Sequence, residues 1–139
     1  MMIPQNAEPK NAYREELRMT KSELVISFME EVFNNGNKQA IDKYLREDYI
    51  QHSPHAETGR EGFKKFAEHF LGLKPHMQIV KIAENEDTVF VFFKCTLASG
   101  AVNKVVDIYR IEDGRIAEHW DVVEHNVQEI TPAHNNGLF

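Results

Sequence analysis

An imidazole and two carboxylates stand close together near the end of the chain, in the stretch DIYRIEDGRIAEHWDVVE, Asp107 to Glu124. Asp107 opens one β-rich run. His119 and Asp121 lie in a second, among Ile116, Trp120, Val122 and Val123. A carboxylate beside a histidine holds the ring's tautomer and raises its basicity. Two carboxylates in one partly desolvated site push their pKa values apart, so that one serves as base and the other as acid. A second cluster, YIQHSPH from Tyr49 to His55, adds an aromatic residue and two histidines, His52 and His55. These are residue types for acid/base catalysis.

The same residues also suit plainer roles. A His-Asp pair on a solvated sheet face is common. His52-x-x-His55 with His119-x-Asp121 resembles a ligand set for a metal ion, but the spacing matches no dedicated zinc pattern and no cysteine supports it. No metal site is therefore assigned. Cys95 is the single cysteine and sits in the apolar run TVFVFFKCTLA, where it reads as a small buried hydrophobe.

Whether the candidate residues share a face depends on the register of the last hairpin. A two-residue turn at Asp113-Gly114 pairs Asp107 with Trp120 and puts Asp107 and His119 on opposite faces. A three-residue loop, Glu112-Asp113-Gly114 with Gly114 left-handed and a bulge, sets Asp107 against His119, Val105 against Asp121 and Tyr109 against Ala117. That register gathers Asp107, Tyr109, His119 and Asp121 on one face. It leaves Val106, Ile108, Ile116, Trp120 and Val122 on the other, with Arg110 near Glu118. Register follows the buried pattern, so the second arrangement is expected.

The elements that must hold these residues are legible in outline. The first 19 residues are polar, with Pro4 and Pro9, and read as a loose arm ahead of a single domain over 20–139. A helix starts at Thr20, where Thr20 and Glu23 have capping-box spacing, and runs through Leu24, Val25, Phe28, Met29 and Val32 to a stop at Gly36. A short helix carries Ala40, Ile41, Tyr44 and Leu45. Glu47 to His52 is a short extended piece or turn. A third helix, with Thr58 and Glu61 again at capping-box spacing, places Phe63, Phe66, Ala67, Phe70 and Leu71 on one face. Four strands follow, over 77–84, 88–98, 104–111 and 115–123. The second of these is apolar on both faces and is expected to be covered on both sides. The class is α+β, helices on one side of a curved antiparallel sheet.

Bulk properties narrow the function classes. The chain has 139 residues, 42% hydrophobic and 27% charged, with a net charge of −6, ordinary values for a globular domain. An acidic chain without basic blocks is poorly suited to nucleic acid or anionic membranes. The N-terminal stretch has no apolar core of a signal peptide and no run is long enough to span a bilayer, so a cytoplasmic protein is expected.

Two motifs carry a family resemblance. VDIYRIEDGRIAEHWDVV, Val106 to Val123, resembles the closing hairpin of the SnoaL-like polyketide cyclases. YIQHSPHAETGREGF, Tyr49 to Phe63, resembles the corresponding segment of the SnoaL-like subgroup of predicted aldol-condensation enzymes. The resemblance runs from about residue 20 to the end. It implies the nuclear-transport-factor-2-like cone fold: three N-terminal helices on a curved antiparallel sheet that encloses a pocket. It implies a homodimer, a small-molecule ligand and no cofactor. It implies a cyclase, isomerase or lyase acting on a small or cyclic carbonyl compound. In that reading Asp121 is the base, His119 and Asp107 assist it, and His52 donates to the developing enolate. Tyr49, His55, Tyr109, Phe66 and Phe70 line the pocket. The alternative is a ligand-binding or dimerisation module of the same fold that performs no chemistry.

Overall fold

A computed structural model describes residues 19–139. The loose arm expected over the first 19 residues lies outside the described residues, apart from Met19. Helix α1, Lys21–Phe28, begins where the Thr20 hydroxyl accepts a hydrogen bond from the Glu23 amide at 3.1 Å. It continues in wider, π-helical turns over Met29–Asn34 and stops at Gly36, whose φ of +66° only glycine adopts without strain. One 3₁₀ turn, Lys38–Ala40, leads into α2, Ile41–Tyr44. Helix α3 spans Gly59–Gly72.

Strand β1, Leu45–Gln51, lies between α2 and α3, so a strand interrupts the expected run of three helices. Four more strands follow: β2 (His76–Asn85), β3 (Thr88–Thr96), β4 (Val102–Glu112) and β5 (Arg115–Glu124). The sheet order is β1-β5-β4-β3-β2. Consecutive strands β2 to β5 pair antiparallel, but β1 joins the edge of β5 in parallel, so the sheet is mixed and not wholly antiparallel. The segment 47–52 is too short and too polar to announce a strand. Its main chain takes the open edge of β5, which no local pattern predicts.

The hairpin β4-β5 departs from both expected registers. The turn is the two-residue one, with Asp113 and Gly114 both at positive φ, +52° and +73°. Glu112 faces Arg115 and Ile111 faces Ile116. Ala117 is then an extra residue, and beyond it the pairs are Arg110 with Glu118, Tyr109 with His119, Ile108 with Trp120 and Asp107 with Asp121. The bulge thus lies inside β5 and not in the loop. Ile116 and Ala117 are both buried, which explains it: two successive apolar residues reach the core only where the alternation slips by one. The expected polar face survives, with Asp107, Tyr109, His119 and Asp121 on one side, but Ile116, expected on the opposite face with Trp120, lies in the inner core because it precedes the bulge.

That inner side carries the core. Val89, Val91, Phe93 and Cys95 of β3 are buried against α1 and α3, through Val25, Phe28, Val32, Phe33, Phe63 and Ala67. The other side of β3 is open in the described chain. Phe90 is 42% exposed and Phe92 and Lys94 are half-buried, contrary to the expectation of a strand covered on both sides. The C-terminus reaches it, where the Phe139 ring stacks on Phe92 at 6.0 Å. Asn34 clamps the end of the first helical segment to the sheet, its amide oxygen accepting from the Met77 N–H at 2.7 Å and its amide nitrogen donating to the Met77 carbonyl at 2.9 Å.

The α3 start also differs from expectation. Thr58 makes no side-chain cap. Its hydroxyl instead accepts from the Gln51 N–H at 3.1 Å and donates to the Tyr49 carbonyl at 3.2 Å, tying the helix start to β1. A β-carbon at Gly62 would lie 2.4 Å from the Glu57 carbonyl oxygen, so only glycine admits this close approach.

Candidate active site

The inner faces of β3, β4 and β5, the end of β1 and the apolar face of α3 line a cavity of about 340 Å³. Its walls are largely aromatic, with Phe33, Phe63, Phe66, Phe70 and Phe93 among the lining residues. Strands β1, β4 and β5 supply most of its polar side chains, and loops add Ser53, His55 and His125. Alternation along β4 puts Asp107 and Tyr109 inward, and along β5 it puts His119 and Asp121 inward. Along β1, Tyr49 and Gln51 point in, while Ile50 is exposed.

Parity also decides the histidines of the first cluster. His52, one residue past Gln51, turns to the outer face. Its ring stacks on Trp120 with centroids 4.8 Å apart, and its Nε2 lies 2.6 Å from the Glu118 carboxylate. Glu118 is held below its ordinary pKa by that contact and by Arg110. His52 does not line the cavity and stands apart from the other candidates. The reason is simple: Tyr49 and His52 are an odd number of residues apart on extended backbone, so they face opposite ways. His55 re-enters the site because the loop after β1 turns inward. It lines the cavity mouth opposite His125, ring centroids 6.0 Å apart. Tyr49, Tyr109, Phe66 and Phe70 all lie in the lining.

Hydrogen bonds order the polar end. The Tyr109 hydroxyl donates to Asp107 Oδ2 at 2.6 Å. His119 Nε2 lies 3.1 Å from Asp107 Oδ1, off the ring's N–H direction, so the contact is electrostatic and Nε2 makes no hydrogen bond. The Tyr109 ring stacks on His119 at 4.9 Å. His119 Nδ1 sits 2.7 Å from the amide oxygen of Gln51, a residue the motifs did not single out. Its position on the Tyr49 side of β1 was the available signal. Among the described residues, no hydrogen bond or ion pair engages the Asp121 carboxylate, which is half-buried in the same lining.

Burial opposes charge on the His119 ring, but the carboxylates of Asp107 and Asp121 outweigh it and hold its pKa above the ordinary value. Burial, and then the Asp107 charge, push both Tyr49 and Tyr109 well up, so both remain neutral hydroxyl donors. Burial pushes the Cys95 thiol to about 11, which leaves it an inert wall residue, as its sequence context suggested. A raised histidine pKa links to stability. The ion pair contributes fully below the unfolded value of 6.5 and is lost as pH rises through the folded value. The thermal stability of the wild type is therefore expected to fall with rising pH above about 6.5, and His119→Gln is expected to flatten that slope.

Asp107, His119 and Asp121 are also the residues that offer metal-ligand atoms, which all lie within 4.8 Å of one another. Neighbouring ligands of a tetrahedral zinc ion stand only about 3.3 Å apart. The trio can approach a cation but is not drawn together as a coordination shell.

Comparisons with known proteins place this architecture. Residues 25–119 match the family model described as a SnoaL-like domain. The chain belongs to the SnoaL-like family. Among solved structures, this SnoaL-like protein is similar to a candidate polyketide cyclase from Acidithiobacillus ferrooxidans, with a TM-score of 0.68 and 20% identity over 77% of this chain and 90% of that one. It is similar to a nuclear-transport-factor-2-like protein of unknown function from Cytophaga hutchinsonii, with a TM-score of 0.64 and 20% identity over 80% and 94% of the two chains. An LEH-like epoxide hydrolase of M. tuberculosis aligns with a TM-score of 0.65 and 17% identity over 74% and 81%. At such identities the likeness is one of fold. No curated protein matches the chain. Among the described residues, no helix is long and apolar enough to cross a membrane.

Proposed function

We propose that this SnoaL-like protein is an acid/base enzyme that abstracts an α-proton from a small, neutral carbonyl compound held in the cavity, with the sheet curled around the ligand as a cone. One observation carries the reading. Asp107 and His119 form a charge pair, and Asp107 is further engaged by Tyr109, whereas among the described residues Asp121 in the same lining has no hydrogen-bond partner. Pairing compensates one carboxylate and leaves the other free to take a proton. Asp121 removes the hydrogen next to the carbonyl and the bonding pair moves into an enolate. The Tyr49 hydroxyl accepts from Gln51 and keeps its own proton to donate to the enolate oxygen, the role the sequence had suggested for His52. The enolate then recovers its proton from Asp121 at carbon, or attacks a second carbonyl in an aldol closure whose alkoxide takes that proton back from Asp121.

The lining limits the substrate. Among the described residues it holds aromatic side chains and no lysine or arginine, and His119 is already paired with Asp107, so a neutral ligand suits it. A volume of about 340 Å³ lies at the small end of ligand sites, which suits one or two rings. The names of similar structures, polyketide cyclase and epoxide hydrolase, are compatible with a carbonyl or other oxygenated ring compound. The test uses 2-tetralone, a neutral two-ring ketone, in deuterated buffer. The protein is expected to accelerate deuterium uptake at its α-carbons, read by proton NMR. Saturable binding without acceleration would instead support a cavity that holds its ligand and does no chemistry.

We also propose that a second copy covers the outer sheet face. Val122 is 69% exposed and Phe90 42%, beside half-buried Phe92, Val106, Ile108 and Trp120, a large apolar surface for a lone chain. Sedimentation of the full chain is expected to show dimers that Val122→Glu converts to monomers. A concentration-independent monomer would remove this proposal.

A further inference from the structure

Gln51 ends β1 directly beside His119. The two residues are register partners, and the His52 N–H donates to the His119 carbonyl at 3.0 Å, so the main chains fix their separation. The Gln51 amide is held at both ends. Its oxygen accepts from the Ser53 main-chain N–H at 3.0 Å and contacts His119 Nδ1 at 2.7 Å, and its nitrogen donates to the Tyr49 hydroxyl at 2.9 Å. Turning the amide over would set two N–H donors against each other at Ser53. A main-chain donor cannot change its character, so it dictates which end of the amide is oxygen.

Two consequences follow for the site. The group facing His119 Nδ1 is an acceptor only, so Nδ1 keeps a hydrogen in both the neutral and the charged ring. The proton that comes and goes is then the one on Nε2, the nitrogen that lies 3.1 Å from Asp107 and makes no hydrogen bond. At the other end, the amide N–H occupies the acceptor side of the Tyr49 oxygen. The Tyr49 hydrogen is turned away from Gln51, and among the described residues no acceptor takes it.

We infer that Gln51 is the positioning residue of this site: it confines the exchangeable proton of His119 to Nε2 and keeps the Tyr49 hydroxyl hydrogen available to a bound oxygen. The catalytic meaning of this rests on the reading above, but the tautomer does not. Replacement by leucine removes acceptor and donor together. Replacement by glutamate keeps the acceptor, adds negative charge beside His119, and removes the donor to Tyr49.

The experiment is long-range proton–nitrogen NMR of the full chain labelled at histidine nitrogens, with the His119 signals assigned by their loss in His119→Gln. In the wild type, above the pH at which the ring titrates, His119 is expected as the Nδ1–H tautomer. Gln51→Leu should bring in a substantial population of the Nε2–H tautomer. Gln51→Glu should retain Nδ1–H and move the titration to higher pH. An Nε2–H tautomer in the wild type, or no change in Gln51→Leu, would overturn the inference. A second arm measures 2-tetralone exchange, where both variants are expected to lose on the order of a hundredfold, as when an oriented donor is lost. The two readings fail separately. A shifted tautomer with no exchange in the wild type defeats the proposed chemistry alone, and lost exchange with an unshifted tautomer defeats the role of Gln51 alone.

Discussion

Asp121→Asn is expected to lower the acceleration of 2-tetralone exchange by about 10²- to 10⁴-fold, the contribution of a positioned general base. Asparagine keeps the shape of the side chain and removes its capacity to take a proton. Asp121 makes no hydrogen bond among the described residues, so the exchange breaks no network, and folding should be unaltered. Asp107→Asn should behave differently. It removes one partner of a buried pair, and with it the larger cause of the raised His119 pKa, so its effect should appear in the pH profile as well as in the rate. If Asp121→Asn exchanged the ketone at the wild-type rate, the base would have to be sought elsewhere, and Asp107 would be the next candidate.

The second large effect is expected at Phe28→Ala, in stability. Phe28 is 1% exposed, and its ring meets Phe33, Tyr44, Phe63 and Tyr109 at centroid distances from 5.4 to 5.9 Å. It joins α1, α2, α3 and β4 at one point. Truncating a buried phenylalanine costs about 3–5 kcal/mol, the sum of lost burial and the cavity left behind. Domains of this size have about 5–15 kcal/mol in total, so the variant should unfold at a much lower denaturant concentration. The site should respond too, since Tyr109 packs edge-on against Phe28 and holds Asp107. A chemical denaturation curve checks this, and a loss below about 1 kcal/mol would show that the neighbouring rings close over the gap.

The residues on which these predictions rest were legible to different degrees. The aromatic stripe of α3 and the buried residues of α1 follow from helical period, a local signal, and the structure places them as expected. Asp107, Tyr109, His119 and Asp121 sort onto one face by strand parity, also local. The route differed, since the bulge sits at Ala117 and not in the turn. A slip at either place leaves the residues beyond Ala117 on the expected faces, whereas Ile116, on the turn side of it, changes face and joins the core. His52 was misplaced for a different reason. The motif grouped it with Tyr49 by nearness in sequence, whereas extended backbone sends residues 49 and 52 to opposite sides.

By its sequence alone, this chain determines its class, most of its strand and helix positions, and which side chains of the last hairpin travel together. Each of these depends on periods of two or 3.6 residues, and such periods need only near neighbours. The tertiary structure alone decided that a polar segment would become β1, that it would run parallel to β5, and that Gln51 would meet a histidine 68 positions away. Strand pairing across such a separation is settled by which edge remains open and which donors still need partners. That competition involves the whole fold, and no short stretch of residues records its outcome.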